Sequence, residues 1–170
     1  MLHLRRENVT PLPPFEAMDV FIRTLQDTIC TALESEDSAS FREDTWQRPE
    51  GGGGRSRVLE GGATIEKGGV NISRIHGEMS EELAQQLRAE RTPFAVCGLS
   101  LVIHPRSPRV PTTHMNVRYF ETDAGRSWFG GGIDLTPYYP HLEDFRQFHQ
   151  VLKDTCEGVR CGSYDGYKTW

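Results

Sequence analysis

The sequence predicts an α+β fold: a large, mostly antiparallel β-sheet flanked by helices. Three observations carry that expectation. Apolar residues recur at helical spacing near both ends, at Met18, Phe21, Ile22, Leu25, Ile29 and Leu33, then at Leu142, Phe145, His149, Leu152 and Cys156. Strand-like runs joined by short turns lie between them. No internal repeat and no linker divides residues 1–170, which are read as a single domain.

In chain order, prolines at 11, 13 and 14 precede the first helix, and an acidic loop from Glu34 to Asp37 ends it. Trp46 and the run Gly51 to Gly54 follow. Two short strand-like segments are then hinged at Gly61-Gly62, a favourable two-residue hairpin turn. Val70 to Ile75 reads as a further strand. Ser80 caps a helix whose first turn carries Glu81 and Glu82, where carboxylates suit the positive end of the dipole, and Pro93 marks its exit. Phe94 to His104 is too apolar for a surface strand and is expected to be buried on both faces. A proline-rich turn (Pro105, Pro108, Pro111) leads to a strand from Thr113 to Glu121. The last strand, Trp128 to Thr136, is expected to be interrupted by Gly130, Gly131 and Gly132.

Composition narrows the function. A formal charge of -5 argues against nucleic acid as the main partner, because no basic stripe is available to neutralise phosphates. An anionic ligand must instead be met by a local cluster of arginine or histidine. Cys30, Cys97, Cys156 and Cys161 fit neither a zinc ribbon nor a thioredoxin-type pair and are read as reduced thiols. No apolar run approaches the roughly 18 residues of a membrane span. Met1 to Asn8 has early basic residues with no apolar stretch behind them, unlike a secretory signal.

The sharpest inference comes from strand alternation. On T-H-M-N-V-R-Y-F, His114, Asn116 and Arg118 point one way, and Met115, Val117 and Tyr119 the other. On the preceding strand Ser100, Val102 and His104 share a face opposite Leu99, Leu101 and Ile103. If the proline turn returns the chain antiparallel, the two polar faces form one wall. That wall is either a binding or catalytic surface or a satisfied structural network. The three glycines before Asp134 either let a ligand approach, with Asp134 set beside Arg118, or mark a bulge. His149 on its apolar helical stripe is either a hydrogen-bonded core residue or a ligand.

Other motifs fail. Gly51 to Gly54 is followed by Arg55-Ser56-Arg57, so it is no P-loop, and it lacks the setting of a dinucleotide fingerprint. No Gly-x-Ser-x-Gly elbow exists. His104, His114 and His149 are the candidate ligands for a divalent metal, although their spacing matches no compact metal motif.

Five strings together are specific: W-Q-R-P-E-G-G-G-G-R-S-R-V, I-E-K-G-G-V-N-I-S, H-P-R-S-P-R-V-P-T-T-H-M-N-V-R-Y-F-E, W-F-G-G-G-I-D-L-T-P-Y-Y and Y-K-T-W. In order and spacing, from the first helix to Trp170, the chain resembles the N-terminal part of the oxygen-dependent coproporphyrinogen-III oxidase family. The resemblance implies oxidative decarboxylation of two propionates of coproporphyrinogen III to vinyls, giving protoporphyrinogen IX in haem biosynthesis. O2 is the co-substrate, and carbon dioxide and hydrogen peroxide leave. It implies no organic cofactor, a divalent metal proposed for only some members, and a homodimer for the complete protein. The compartment would be the cytoplasm, with the mitochondrial intermembrane space as the alternative.

Carried over by position, the resemblance puts a substrate-contacting serine at Ser100 and a proton-donor histidine at His114. A substrate-binding stretch falls on Asn116, Val117 and Arg118, and an aspartate engaging pyrrole nitrogens on Asp134. Histidines sometimes assigned to metal fall on His104, His114 and His149. Departures are Ser127 in place of the first tryptophan of a pair, Gln147 in place of a histidine, and Gly69 in place of a common alanine. Relatives are expected to continue for about as long again, with a further His-Arg segment, a Gly-Gly-Arg stretch and the dimerisation region. The alternatives are a non-catalytic tetrapyrrole-binding module or inactive fragment and, more distantly, a histidine-metal oxygenase.

Overall fold

The computed structural model describes residues 13–88, 90–159 and 163–169. Its centre is a six-stranded antiparallel sheet in which every strand pairs with its neighbour in sequence. The strands are β1 (Arg42–Gln47), β2 (Gly52–Glu60), β3 (Ile65–Glu78), β4 (Pro93–Pro105), β5 (Thr112–Thr122) and β6 (Ser127–Thr136). Helix α1 (Pro14–Ser35) precedes them, α2 (Glu81–Leu87) joins β3 to β4, and α3 (Leu142–Glu157) and α4 (Tyr164–Thr169) follow. The fold is α+β.

Helix α1 begins with Pro14 in its first turn, where the missing N–H costs nothing. It buries Phe15, Met18, Ile22 and Cys30 against Val70, Ile72, Cys97, Leu99 and Tyr119 of β3, β4 and β5. Phe21, expected on this stripe, is instead 52% exposed. One residue is about 100° of helix rotation, so a stripe centred on Ile22 turns Phe21 toward solvent.

Gln26 pins the helix to the sheet. Its side chain is fully buried, and Nε2 donates to the carbonyls of Val70 at 2.7 Å and Arg55 at 3.0 Å. Arg55 Nε returns a bond to Gln26 Oε1 at 2.6 Å, so the amide is satisfied at both ends.

A second tie lies just beyond the helix. The carboxylate of Asp37 accepts the N–H groups of Ile65 (2.6 Å), Ala39 (3.0 Å), Thr64 (2.9 Å) and Ala63 (2.9 Å). These bonds, that from Ile65 foremost, hold its pKa well below the usual carboxylate range. The predicted acidic end of the helix is therefore a clamp on the β2–β3 connection. Gly62 is required beside it, because a Cβ there would collide with both carboxylate oxygens.

Several expectations are corrected. The β2–β3 connection spans residues 61–64 rather than two residues, and one long β3 replaces the two segments read there. Strand β1 was invisible to periodicity because five of its six residues are exposed; it forms by pairing with β2. Strand β4 is buried on one face only, through Cys97, Leu99 and Ile103, while Ser100 and His104 are exposed. The glycines do not interrupt β6: Gly130, Gly131 and Gly132 pair in register with Arg118, Val117 and Asn116. Ser80 caps α2 as expected, accepting from the N–H of Leu83.

Helix α3 keeps its stripe, with Phe145, His149, Leu152 and Cys156 half-buried, but Leu142 is 70% exposed. Among the described residues Cys30, Cys97 and Cys156 are free thiols; Cys161, Trp170 and the N-terminal Met1 to Asn8 lie outside them. No described helix is long and apolar enough to cross a membrane.

Both ties can be tested by substitution. Gln26→Leu strands the buried Val70 carbonyl and the part-buried Arg55 carbonyl and is expected to cost about 1–3 kcal/mol in denaturant unfolding. Asp37→Ala should lower Tm at neutral pH. A depressed carboxylate pKa contributes stability above its unfolded value, roughly pH 4, and loses it as pH falls toward the folded value. The Tm gap between Asp37→Ala and the unmodified protein should therefore be constant from about pH 5 to 8 and narrow below about pH 4. A gap that widens in acid would refute the clamp.

Candidate functional site

Because α1 packs on one face of β3, β4 and β5, the alternating positions of those strands lie on the opposite, open face. Register then decides the neighbours. Ser56, Asn71, Ser100, Asn116 and Gly132 form one transverse row through β2 to β6. A parallel row holds Gly69, Val102, His114 and Asp134, and another Ser73, Gly98, Arg118 and Gly130. The predicted wall of Ser100, His104, His114, Asn116 and Arg118 therefore lies on one face, as alternation required.

The charged groups are arranged differently from expectation. Asp134 does not sit beside Arg118. It lies directly opposite His114, with Nδ1 of the imidazole 2.9 Å from its Oδ1. Arg118 is opposite Gly130, four residues further along the strand pair, which is about 13 Å at strand rise. Thr136 Oγ1 donates to the same Asp134 Oδ1 at 3.3 Å, and Thr113 Oγ1 donates to the Asp134 carbonyl at 2.7 Å. His114 and Thr136 thus both engage Oδ1, and Oδ2 has no partner among the described residues.

An aspartate bonded to Nδ1 selects the tautomer that carries its proton there and turns Nε2 outward as an acceptor. In that tautomer Nε2 can accept a hydrogen bond or a proton from a ligand. His104 stands edge-on to His114, with ring centroids 6.0 Å apart.

Val117 is not on this face. Its side chain packs with the α1 core, so only its backbone is available to a ligand. Nor does the structure unite the three histidines. His149 is held on α3 by the hydroxyl of Tyr164, 2.8 Å from its Nδ1. Among the described residues no group of three His, Cys, Asp or Glu side chains is placed to hold a metal. Concavities of about 540 and 370 Å³ lie elsewhere, at Arg23, Trp46 and Arg74 and at Asp27, Cys30 and Arg57. The polar rows lie instead on an uncovered surface.

Two features of this face escaped sequence reasoning. Asn71 lies in the same row as Ser100 and Asn116, which period-two reading of V-N-I-S as part of a longer strand would have shown. Phe94, Phe120 and Trp128 stack at the Arg118 end, with centroids 5.3 and 4.5 Å apart and planes within 2° and 22°.

Residues 17–170 match the protein family described as coproporphyrinogen III oxidase. Two curated relatives, both named oxygen-dependent coproporphyrinogen-III oxidase, come from different strains of Prochlorococcus marinus. That of strain MIT 9313 is 53% identical over 150 residues, covering 86% of this chain and 42% of its own length. That of strain SARG is 47% identical over 154 residues, covering 88% and 44%. The chain therefore spans less than half the length of these relatives.

The glycine run makes the site's geometry testable. A Cβ at Gly131 would collide with the backbone oxygen of Asn116, whereas at Gly132 it meets nothing within 4 Å. Gly131→Ala should therefore cost about 1–3 kcal/mol by forcing β5 and β6 apart. Gly132→Ala should stay within about 0.5 kcal/mol of the unmodified chain. Equal losses in a denaturant titration would show that this register is wrong.

Proposed function

The chain belongs to the coproporphyrinogen III oxidase family, and from that premise we propose that its open face is the substrate-binding side of an oxygen-dependent coproporphyrinogen-III oxidase. The reaction converts two propionates of coproporphyrinogen III to vinyls. For each, one propionic acid side chain and one O2 give a vinyl, CO2 and H2O2, so the substrate supplies both electrons and both hydrogens. The single observation that supports this reading best is the His114–Asp134 pair standing about 13 Å from Arg118, which has no ion-pair partner among the described residues, on one open surface. A macrocycle with carboxylates on its rim can reach both at once.

In this reading Arg118 binds a propionate through its planar fork, a geometry lysine lacks. Asp134 Oδ2 accepts a pyrrole N–H, and the carboxylate's charge favours loss of that proton as O2 attacks the electron-rich ring. His114 Nε2 takes or returns the proton at the peroxide stage. Ser100 and Asn116 supply hydrogen bonds between the two poles. The Phe94–Phe120–Trp128 stack closes the Arg118 end with apolar surface. The complete protein is proposed to be a homodimer in the cytoplasm.

The test is aerobic against anaerobic conversion of coproporphyrinogen III, with and without the second half of a curated relative supplied. Vinyl product only in air supports the oxidase; tight binding without vinyls in either form would leave a tetrapyrrole-binding module. In the active form, Asp134→Asn is expected to lower kcat by roughly two to four powers of ten while changing Kd little. Arg118→Lys should raise KM about tenfold although charge is kept. Near-normal turnover of Asp134→Asn at an unchanged Tm would remove Asp134 from the mechanism.

A further inference from the structure

We propose that Asn71 is a further substrate-binding residue, its amide nitrogen donating to a second carboxylate of the ligand that Arg118 holds; this rests on the reading above. Asn71 is half-buried in the middle of the open face, between Ser56 on β2 and Ser100 on β4. Its Oδ1 is buried and has no hydrogen-bond partner among the described residues. Its Nδ2 lies over Gly69, 3.5 Å from where a Cβ on that glycine would stand.

A buried amide oxygen without a partner is uncommon and lowers stability. An apolar side chain of the same size would suit the isolated fold better. A polar group kept under that penalty, with its N–H donors on the open face, fits a partner that arrives from outside. Those donors select an acceptor, and an anionic one binds most strongly.

Position specifies which carboxylate. Asn71 lies two strands from β5 and two residues along from Arg118, which is about 12 Å across the sheet. The side chains on the intervening strand are short: Ser100 stands opposite Asn71, and Gly98 opposite Arg118. A macrocycle can therefore lie on this floor with one rim carboxylate on Arg118 and a second on Asn71. Asp134 and His114 face a third side of the same area.

The experiment is titration calorimetry with coproporphyrinogen III under anaerobic conditions, so that nothing turns over. It is run on this chain alone and with the second half of a curated relative supplied. Asn71→Leu is expected to weaken Kd about tenfold, equivalent to ~1.4 kcal/mol, with Tm unchanged or raised because the orphan oxygen is gone. Asn71→Asp, which sets a like charge against the ligand, should weaken it further. The tetramethyl ester of the same ligand should bind the unmodified protein and Asn71→Leu equally.

Arg118→Gln separates the two levels of inference. If it weakens binding while Asn71→Leu does not, Asn71 has no ligand and this proposal is overturned. If Asn71→Leu lowers both Tm and affinity while Asn71→Asp binds normally, the residue is structural and the proposal is again overturned. If neither Arg118→Gln nor Asn71→Leu changes Kd, or if the unmodified protein binds nothing in either form, the open face is not the site and the reading beneath falls as well.

Discussion

A strand that slips by one residue turns each of its side chains to the opposite face, and that sensitivity governs this molecule. What prevents slippage is burial on one side. The stripe of α1 accepts Val70, Ile72, Cys97, Leu99 and Tyr119 and would reject Asn71, Ser100 or Arg118 in their places. Helix packing thus decides which residues face away from the helix. The polar rows on the far face are aligned by an apolar interface they never touch. Gln26 strengthens the arrangement by fixing the helix to main-chain oxygens, whose positions do not depend on side-chain identity.

The same register distributes charge. An acceptor pair at His114 and Asp134 and a cationic donor at Arg118 are kept apart by two strand repeats, so they do not neutralise each other. Had Asp134 reached Arg118, the two would have formed a closed ion pair with little left to offer a ligand. Separation instead leaves a guanidinium and a histidine–carboxylate pair as distinct features of one surface, with hydroxyl and amide groups between them. The aromatic stack of Phe94, Phe120 and Trp128 lies beyond Arg118 on the same face.

Alternation makes the face legible in the sequence. His114, Asn116 and Arg118 on one side, and Met115, Val117 and Tyr119 on the other, follow from period two alone. The helix cap at Ser80 was equally readable, since its chemistry is local. What stayed hidden depends on contacts distant in sequence. Strand β1 carries no apolar alternation and exists through its partner. The Asp134–His114 pairing requires the β5–β6 register, and glycine content alone suggested a broken strand. Asn71 was obscured because β3 was read as two shorter pieces, which hid its alignment with Ser100. The role of Asp37 is set by main-chain amides, which no residue-type pattern encodes.

The sequential order of the six strands has a consequence for synthesis. In a meander each new strand docks on the one made just before it, so loop closure stays short at every step and contact order stays low. The sheet can therefore grow at the ribosome from β1 onward, one hairpin at a time. Helix α1 emerges first but finds its apolar seat only when β3, β4 and β5 exist, so it waits as an amphipathic segment while β1 and β2 are made. Until the next strand arrives the newest one is an unpaired edge, and the strands that carry Arg118 and Asp134 join after those that carry Asn71 and Ser100.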